Sequence, residues 1–109
     1  MLSMKLSIPA LLVLMLTTGG MQAGGNPAKG QELALDCFDC HGEDGRGDDL
    51  IPWIAGLEEA YIVEQLMAFK SGDRIDENGI MPMYAEDLSE QEMADIAAYF
   101  ASLEADRKP

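Results

Sequence analysis

An all-α fold is predicted by three observations. Apolar residues recur at helical spacing in separate segments, most clearly at Ile62, Leu66 and Phe69 and at Met93, Ile96, Ala97, Phe100 and Leu103. No segment alternates apolar and polar residues long enough to suggest a strand. The breaks between segments carry Gly, Asp, Asn and Pro, the residues of turns. Three main helices are expected.

The elements follow in order. Residues 1–23 read as an export signal. Lys5 gives a short positive start, LSIPALLVLML is an apolar run, and Thr17 to Gly20 are small, with Ala23 a suitable residue to cut after. The run is short for a transmembrane helix, which needs about 20 apolar residues. Met21 is not the small residue usual at that place, so an uncleaved anchor stands as the second reading. Removing the signal takes away one base, Lys5, and no acid, so the formal charge moves from −13 to −14. The remaining segment, 24–109, is one small domain. So acidic a chain is a poor match for nucleic acid, whose binding depends on cations neutralising phosphate. It is equally poorly suited to an anionic membrane surface.

Pro27 suits the first turn of a helix, and Ala28–Asp36 continues it, with Leu33 and Cys37 on one face. A Gly- and Asp-rich loop follows from His41 to Leu50, then the short apolar turn Ile51-Pro52-Trp53-Ile54. Glu58 to Ser71 is predicted helical, with Met67 and Val63 widening its apolar stripe and Gly72 as its stop. Asp73 to Asp87 is expected to be irregular, with Asn78-Gly79 as a turn and Pro82 as a breaker. Ser89 as N-cap and Glu92 three residues on form the capping box of the last helix. Asp106 to Pro109 is a polar tail.

The chemistry concentrates in Cys37-Phe38-Asp39-Cys40-His41, which holds both cysteines and the only histidine of the chain. This C-x-x-C-H string is the attachment signature of c-type haem. Two thiols three positions apart can add to the two vinyl groups of one haem, and the next residue can place an imidazole nitrogen on the iron. Three plainer readings of C-x-x-C stand beside it. A thioredoxin-type redox pair wants a βαβ context that is not visible here. A zinc site needs four ligands where the run offers three. A structural disulfide would close a very small loop. With haem bound, the single histidine leaves methionine, another weak donor or water for the distal side. Met67 and Met93 fall on helix stripes and read as core. Met81 and Met83 lie in the segment before the last helix and are the candidate distal ligands.

The ordered residues extend this reading. Gly30, CFDCHG at 37–42, Pro52-Trp53-Ile54-Ala55-Gly56, Tyr61, Gln65-Leu66, Phe69 to Arg74, Leu88-Ser89 and Ile96-Ala97-Ala98-Tyr99-Phe100 together resemble the class I cytochromes c. The resemblance is closest to the short domains of bacterial one-haem and two-haem periplasmic cytochromes. It implies a fold of three main helices around one covalent haem c. Cys37 and Cys40 would hold the haem and His41 would be the proximal ligand. The Pro52 carbonyl would accept the free N–H of His41. Met81, seven residues before Leu88, would be the distal ligand, with Met83 as the fallback. Arg74 would lie near the haem propionates. Gly30 would let the first helix cross the last near Tyr99 and Phe100. Ile54 and Leu57 stand where the family more often has Leu and Gln.

The implied function is a periplasmic single-electron carrier rather than an enzyme. The rival is a small haem-c subunit of an oxidoreductase complex, or a peroxidase-like protein with an open sixth site. Mitochondrial members dock partners through a ring of lysines, a mode this acidic chain does not share. Its partners are expected to be redox proteins with basic docking surfaces, and no membrane insertion is expected once the signal is removed.

Overall fold

The computed structural model describes residues 24–103, so the export signal and the polar tail lie outside the described residues. The described residues form five helices and no strand: α1 (Pro27–Leu33), α2 (Leu35–His41), α3 (Glu59–Ser71), α4 (Ile80–Ala85) and α5 (Glu90–Ser102). The all-α expectation holds, with α3 and α5 as the two longest elements at 13 residues each.

Helix α5 is the spine of the domain. It starts as the sequence demands: Ser89 Oγ accepts from the Glu92 N–H at 3.0 Å, and Glu92 returns Oε1 to the Ser89 N–H at 2.9 Å. Its face of Met93, Ile96, Ala97, Tyr99 and Phe100 meets Ala34 from the first pair of helices and Ile62 and Leu66 from α3. Helix α1 packs chiefly on α5, and α3 packs on α5 and α4. Phe38, Tyr99 and Phe100 form an aromatic knot with centroids 5.1 to 6.2 Å apart in tilted and edge-on arrangements.

The crossing of α1 on α5 is made by Gly30. A Cβ there would sit 1.8 Å from the Asp95 carbonyl oxygen, so only glycine permits this approach. The crossing point is Asp95–Ile96, one turn before the Tyr99–Phe100 position expected from the sequence. The reason lies at the start of α1. The buried Asp95 carboxylate accepts the Asn26 N–H at 2.9 Å and pins that end of the helix against the middle of α5.

Three further expectations change. The single helix expected over Ala28–Asp36 is two, bent at Ala34, whose carbonyl accepts from both the Cys37 and Phe38 N–H groups. The second piece runs through the whole cysteine motif. The segment expected to be irregular contains α4, because Pro82 falls on its third residue. The first N–H groups of a helix have no partner within it, so a proline there starts a helix rather than breaking it. Met67, expected in the core, is 42% exposed. It lies one step round the helix from Leu66, and a 100° rotation carries it off the buried line of Ile62, Leu66 and Phe69.

Candidate functional site

The cysteine motif is a helix that ends at its own histidine. Cys37 and Cys40 are three residues apart on α2, nearly one turn, which brings both thiols to one side. Both are free; Cys37 is half-buried and Cys40 exposed. Burial, followed by the negative charge of Asp36, pushes the Cys37 thiol up to about 11. At neutral pH it is therefore held as the protonated thiol, a poor nucleophile and a poor metal ligand until its proton is taken. That argues against a redox pair of the thioredoxin kind, whose attacking cysteine is shifted the opposite way. No group of three or more metal-binding side chains is found among the described residues, so nothing there completes a zinc site around the motif.

His41 is buried at the C-terminal end of α2. Its Nδ1 lies 3.0 Å from the carbonyl oxygen of Pro52. A carbonyl only accepts, so Nδ1 carries a proton, and in the neutral ring Nε2 is the nitrogen with the lone pair. This bond fixes both the neutral tautomer and the plane of the ring.

The loop that delivers Pro52 is stitched to its surroundings by main-chain bonds. Gly47 N–H donates to the His41 carbonyl at 2.7 Å, the Gly45 carbonyl accepts from Ile54 at 2.7 Å and Ala55 at 3.0 Å, and Gly56 N–H reaches Phe100 on α5 at 2.9 Å. Tyr99, also on α5, donates its hydroxyl to the Glu43 carbonyl at 3.0 Å. The proximal loop is thus held from the helix at its foot and from α5 at two points.

Of the two candidate distal methionines, Met81 is partly buried and packs against the core, whereas Met83 is 59% exposed. Met81 is the second residue of α4, and its N–H is received by Asp76 Oδ2 at 3.3 Å. The other oxygen of Asp76 is buried with no hydrogen-bond partner among the described residues. Asp76 and Asp95 are polar anchors that the sequence reading missed. A lone acid within the apolar run from Met93 to Phe100 was the only signal for Asp95.

Arg74 donates to Gln65 Oε1 at 2.6 Å, and its guanidinium lies over the Phe69 ring, 4.6 Å from the centroid. Its contacts are with α3 rather than with Cys37, Cys40 or His41.

The donor set fits covalent haem c. Two free thiols stand on one side of a helix, followed at once by an imidazole whose neutral tautomer presents Nε2 as the donor. The Met81 thioether lies on a separate short helix, whose Ile80, Met83 and Tyr84 are exposed apolar residues. In that arrangement Cys37 and Cys40 would supply the thioether links, and His41 Nε2 and Met81 Sδ the axial donors.

Comparison with known proteins points to the same cofactor. Residues 27–104 match the family model described as Cytochrome c. The chain is 42% identical over 101 residues to cytochrome c4 of Pseudomonas aeruginosa, a match covering 90% of this chain and 48% of that protein. It is 37% identical over 76 residues to the cytochrome subunit of sulfide dehydrogenase of Chlorobaculum tepidum, covering 70% of this chain and 67% of that one. Among solved structures, reduced cytochrome c4 from Pseudomonas stutzeri superposes with a TM-score of 0.67 at 28% identity, over 75% of this chain and 53% of the other. The chain thus spans about half the length of the cytochromes c4 that it matches.

Proposed function

The chain belongs to the cytochrome c family, whose members carry covalently bound haem c, and from that premise we propose that it is a periplasmic single-electron carrier with one haem and His41/Met81 ligation. The single observation that carries the reading is the 3.0 Å contact between His41 Nδ1 and the Pro52 carbonyl. It leaves Nε2 free to coordinate, directly after two free thiols on the same helix. Haem c, when bound, supplies reversible one-electron chemistry at iron.

The chain's own residues do the rest. Cys37 and Cys40 would hold the group through thioether bonds, each S–H having added across a vinyl double bond so that its hydrogen sits on the neighbouring vinyl carbon. The Pro52 carbonyl keeps the imidazole from turning and raises its basicity. Met81 adds a soft thioether, which favours the reduced state relative to a second imidazole. With His41 and Met81 both donating to iron, no coordination site would be left open for substrate, which supports a carrier rather than an enzyme. The export signal read from residues 1–23 supports this, since covalent haem is attached outside the cytoplasm in bacteria. The sulfide dehydrogenase relative favours one further reading, in which the domain serves as the electron-transfer subunit of an oxidoreductase complex.

A haem stain on a denaturing gel tests the attachment: retained stain is expected, and its loss in Cys37→Ala, Cys40→Ala. The oxidised protein should show the near-infrared sulfur-to-iron band of methionine ligation. Met81→Ala should abolish that band and Met83→Ala should keep it. The opposite pattern moves the ligand to Met83, and absence of the band in the unmodified protein removes methionine ligation altogether.

A further inference from the structure

Helix α4 carries Met81, and its start lacks the usual support. The residue at its N-cap is Gly79, in the left-handed region at φ +68°, and a glycine has no side chain to receive the first N–H groups. The third residue of the helix, Pro82, has no N–H to fasten. The fastening comes from a residue further back. Asp76 Oδ2 accepts the Met81 N–H at 3.3 Å, and the Asp76 carbonyl accepts the Gly79 N–H at 3.1 Å. One residue thus holds both the turn and the beginning of the helix.

The Asp76 side chain has no other partner. Its carboxyl group makes a single hydrogen bond among the described residues, and that bond goes to Met81. No cation pairs with it there; Arg74, two residues earlier, is engaged with Gln65 and the Phe69 ring. Asp76 Oδ1 is buried and has no hydrogen-bond partner among the described residues. Leaving a buried oxygen unpaired costs stability, so stability alone does not account for an acid at this place.

The far end of the segment is fastened separately. Lys70 on α3 donates to the Leu88 carbonyl, the Leu88 N–H donates to the Ala85 carbonyl, and the capping box of α5 follows at once. Met81 and the fully buried Ala85, four residues apart, form the inner line of α4, while Met83 is turned outward. Releasing Asp76 would therefore free the Met81 end of the helix and leave the Ala85 end in place.

We propose that Asp76 is the positioning residue of the distal ligand: through the Met81 main-chain N–H it keeps the first turn of α4 wound, and so keeps the Met81 thioether, rather than that of Met83, on the inner side. The inference rests on the His41/Met81 reading above. The bond is made to the main chain, so it directs Met81 without occupying its sulfur.

The test is imidazole binding to the oxidised holo-protein, with the near-infrared sulfur-to-iron band followed alongside. Added imidazole competes with Met81 for one position, so its apparent affinity rises with the fraction of protein in which Met81 is released. Asp76→Ala removes the acceptor, and Asp76→Glu keeps the acid but moves its oxygens by one methylene. Both should raise the imidazole affinity about fivefold, the worth of one modest hydrogen bond, and weaken the band. Asp76→Asn keeps an accepting oxygen in place and should stay within about twofold of the parent. Asn26→Ala, which removes the side-chain cap of α1, is the stability control and should lower Tm while leaving imidazole affinity unchanged. If Asp76→Ala does not accumulate as holo-protein, the Glu and Asn variants decide between them. Parent-like affinity in Asp76→Glu, a rise in Asp76→Asn equal to that in Asp76→Glu, or an equal rise in Asn26→Ala overturns the proposal and leaves the ligation reading standing. Absence of the band in the parent protein overturns both.

Discussion

Replacing Gly30 by alanine tests the packing that the whole site hangs on. The added Cβ would start 1.8 Å from the Asp95 carbonyl oxygen and 2.5 Å from its carbonyl carbon, against the 3.4 Å at which ordinary contact begins. Both obstacles are main chain, so no side chain can rotate out of the way. Helix α1 must retreat by about 1.6 Å, pulling its end from Asp95 and loosening Ala34 in the core. Overpacking of this kind costs about 3 kcal/mol, at the upper end of the usual range because nothing flexible can yield. Alanine's better helix propensity returns about 1 kcal/mol. The net expectation is a loss of about 2 kcal/mol, or a fall in Tm of about 10 °C for a domain this small. Guanidinium unfolding of the holo-protein, followed by far-ultraviolet circular dichroism, reads it directly. Lys29→Ala, on the exposed side of the same helix, is the control and should stay within about 0.5 kcal/mol. If Gly30→Ala matches the parent or exceeds it, propensity has won, the close crossing does not exist, and the account of α1 on α5 is wrong.

Other expectations are smaller. Tyr99→Phe removes the hydroxyl bond to Glu43 and should cost about 1 kcal/mol of stability. Burial, then the charges of Glu43 and Asp44, raise the Tyr99 hydroxyl above its usual range. The folded state therefore resists ionising it, and that stability is intact below pH about 10 and lost as pH climbs towards the raised value. The alkaline fall in Tm should be shallower in Tyr99→Phe, and an identical fall in both proteins would place the titrating group elsewhere. Ser89→Ala breaks the capping box and should cost about 1 kcal/mol in the same unfolding assay; no loss would mean that α5 is held by its buried face alone.

Much of the site was legible because its chemistry is local. The motif at 37–41 sets thiol spacing and ligand order within five residues, and the capping box at Ser89 and Glu92 is a bond between near neighbours. Expectations shifted where a residue's environment depends on distant chain. Met67 reads as apolar stripe in one dimension, and only the placement of α5 decides which side of α3 is covered. Pro82 reads as a breaker, yet its place in the first turn of α4 makes it compatible with helix. Asp95 showed only as a lone acid in an apolar run, because its partner, the Asn26 N–H, is 69 residues away.

The sequence by itself determined the helical class, the acidic charge balance and the spacing of Cys37, Cys40 and His41, since each depends on residue type and short spacing. Tertiary structure decided which methionine is packed and which is exposed, and where α1 crosses α5. Those outcomes are set by steric fit and main-chain hydrogen bonds between segments far apart in the chain, and no local pattern of side chains encodes them.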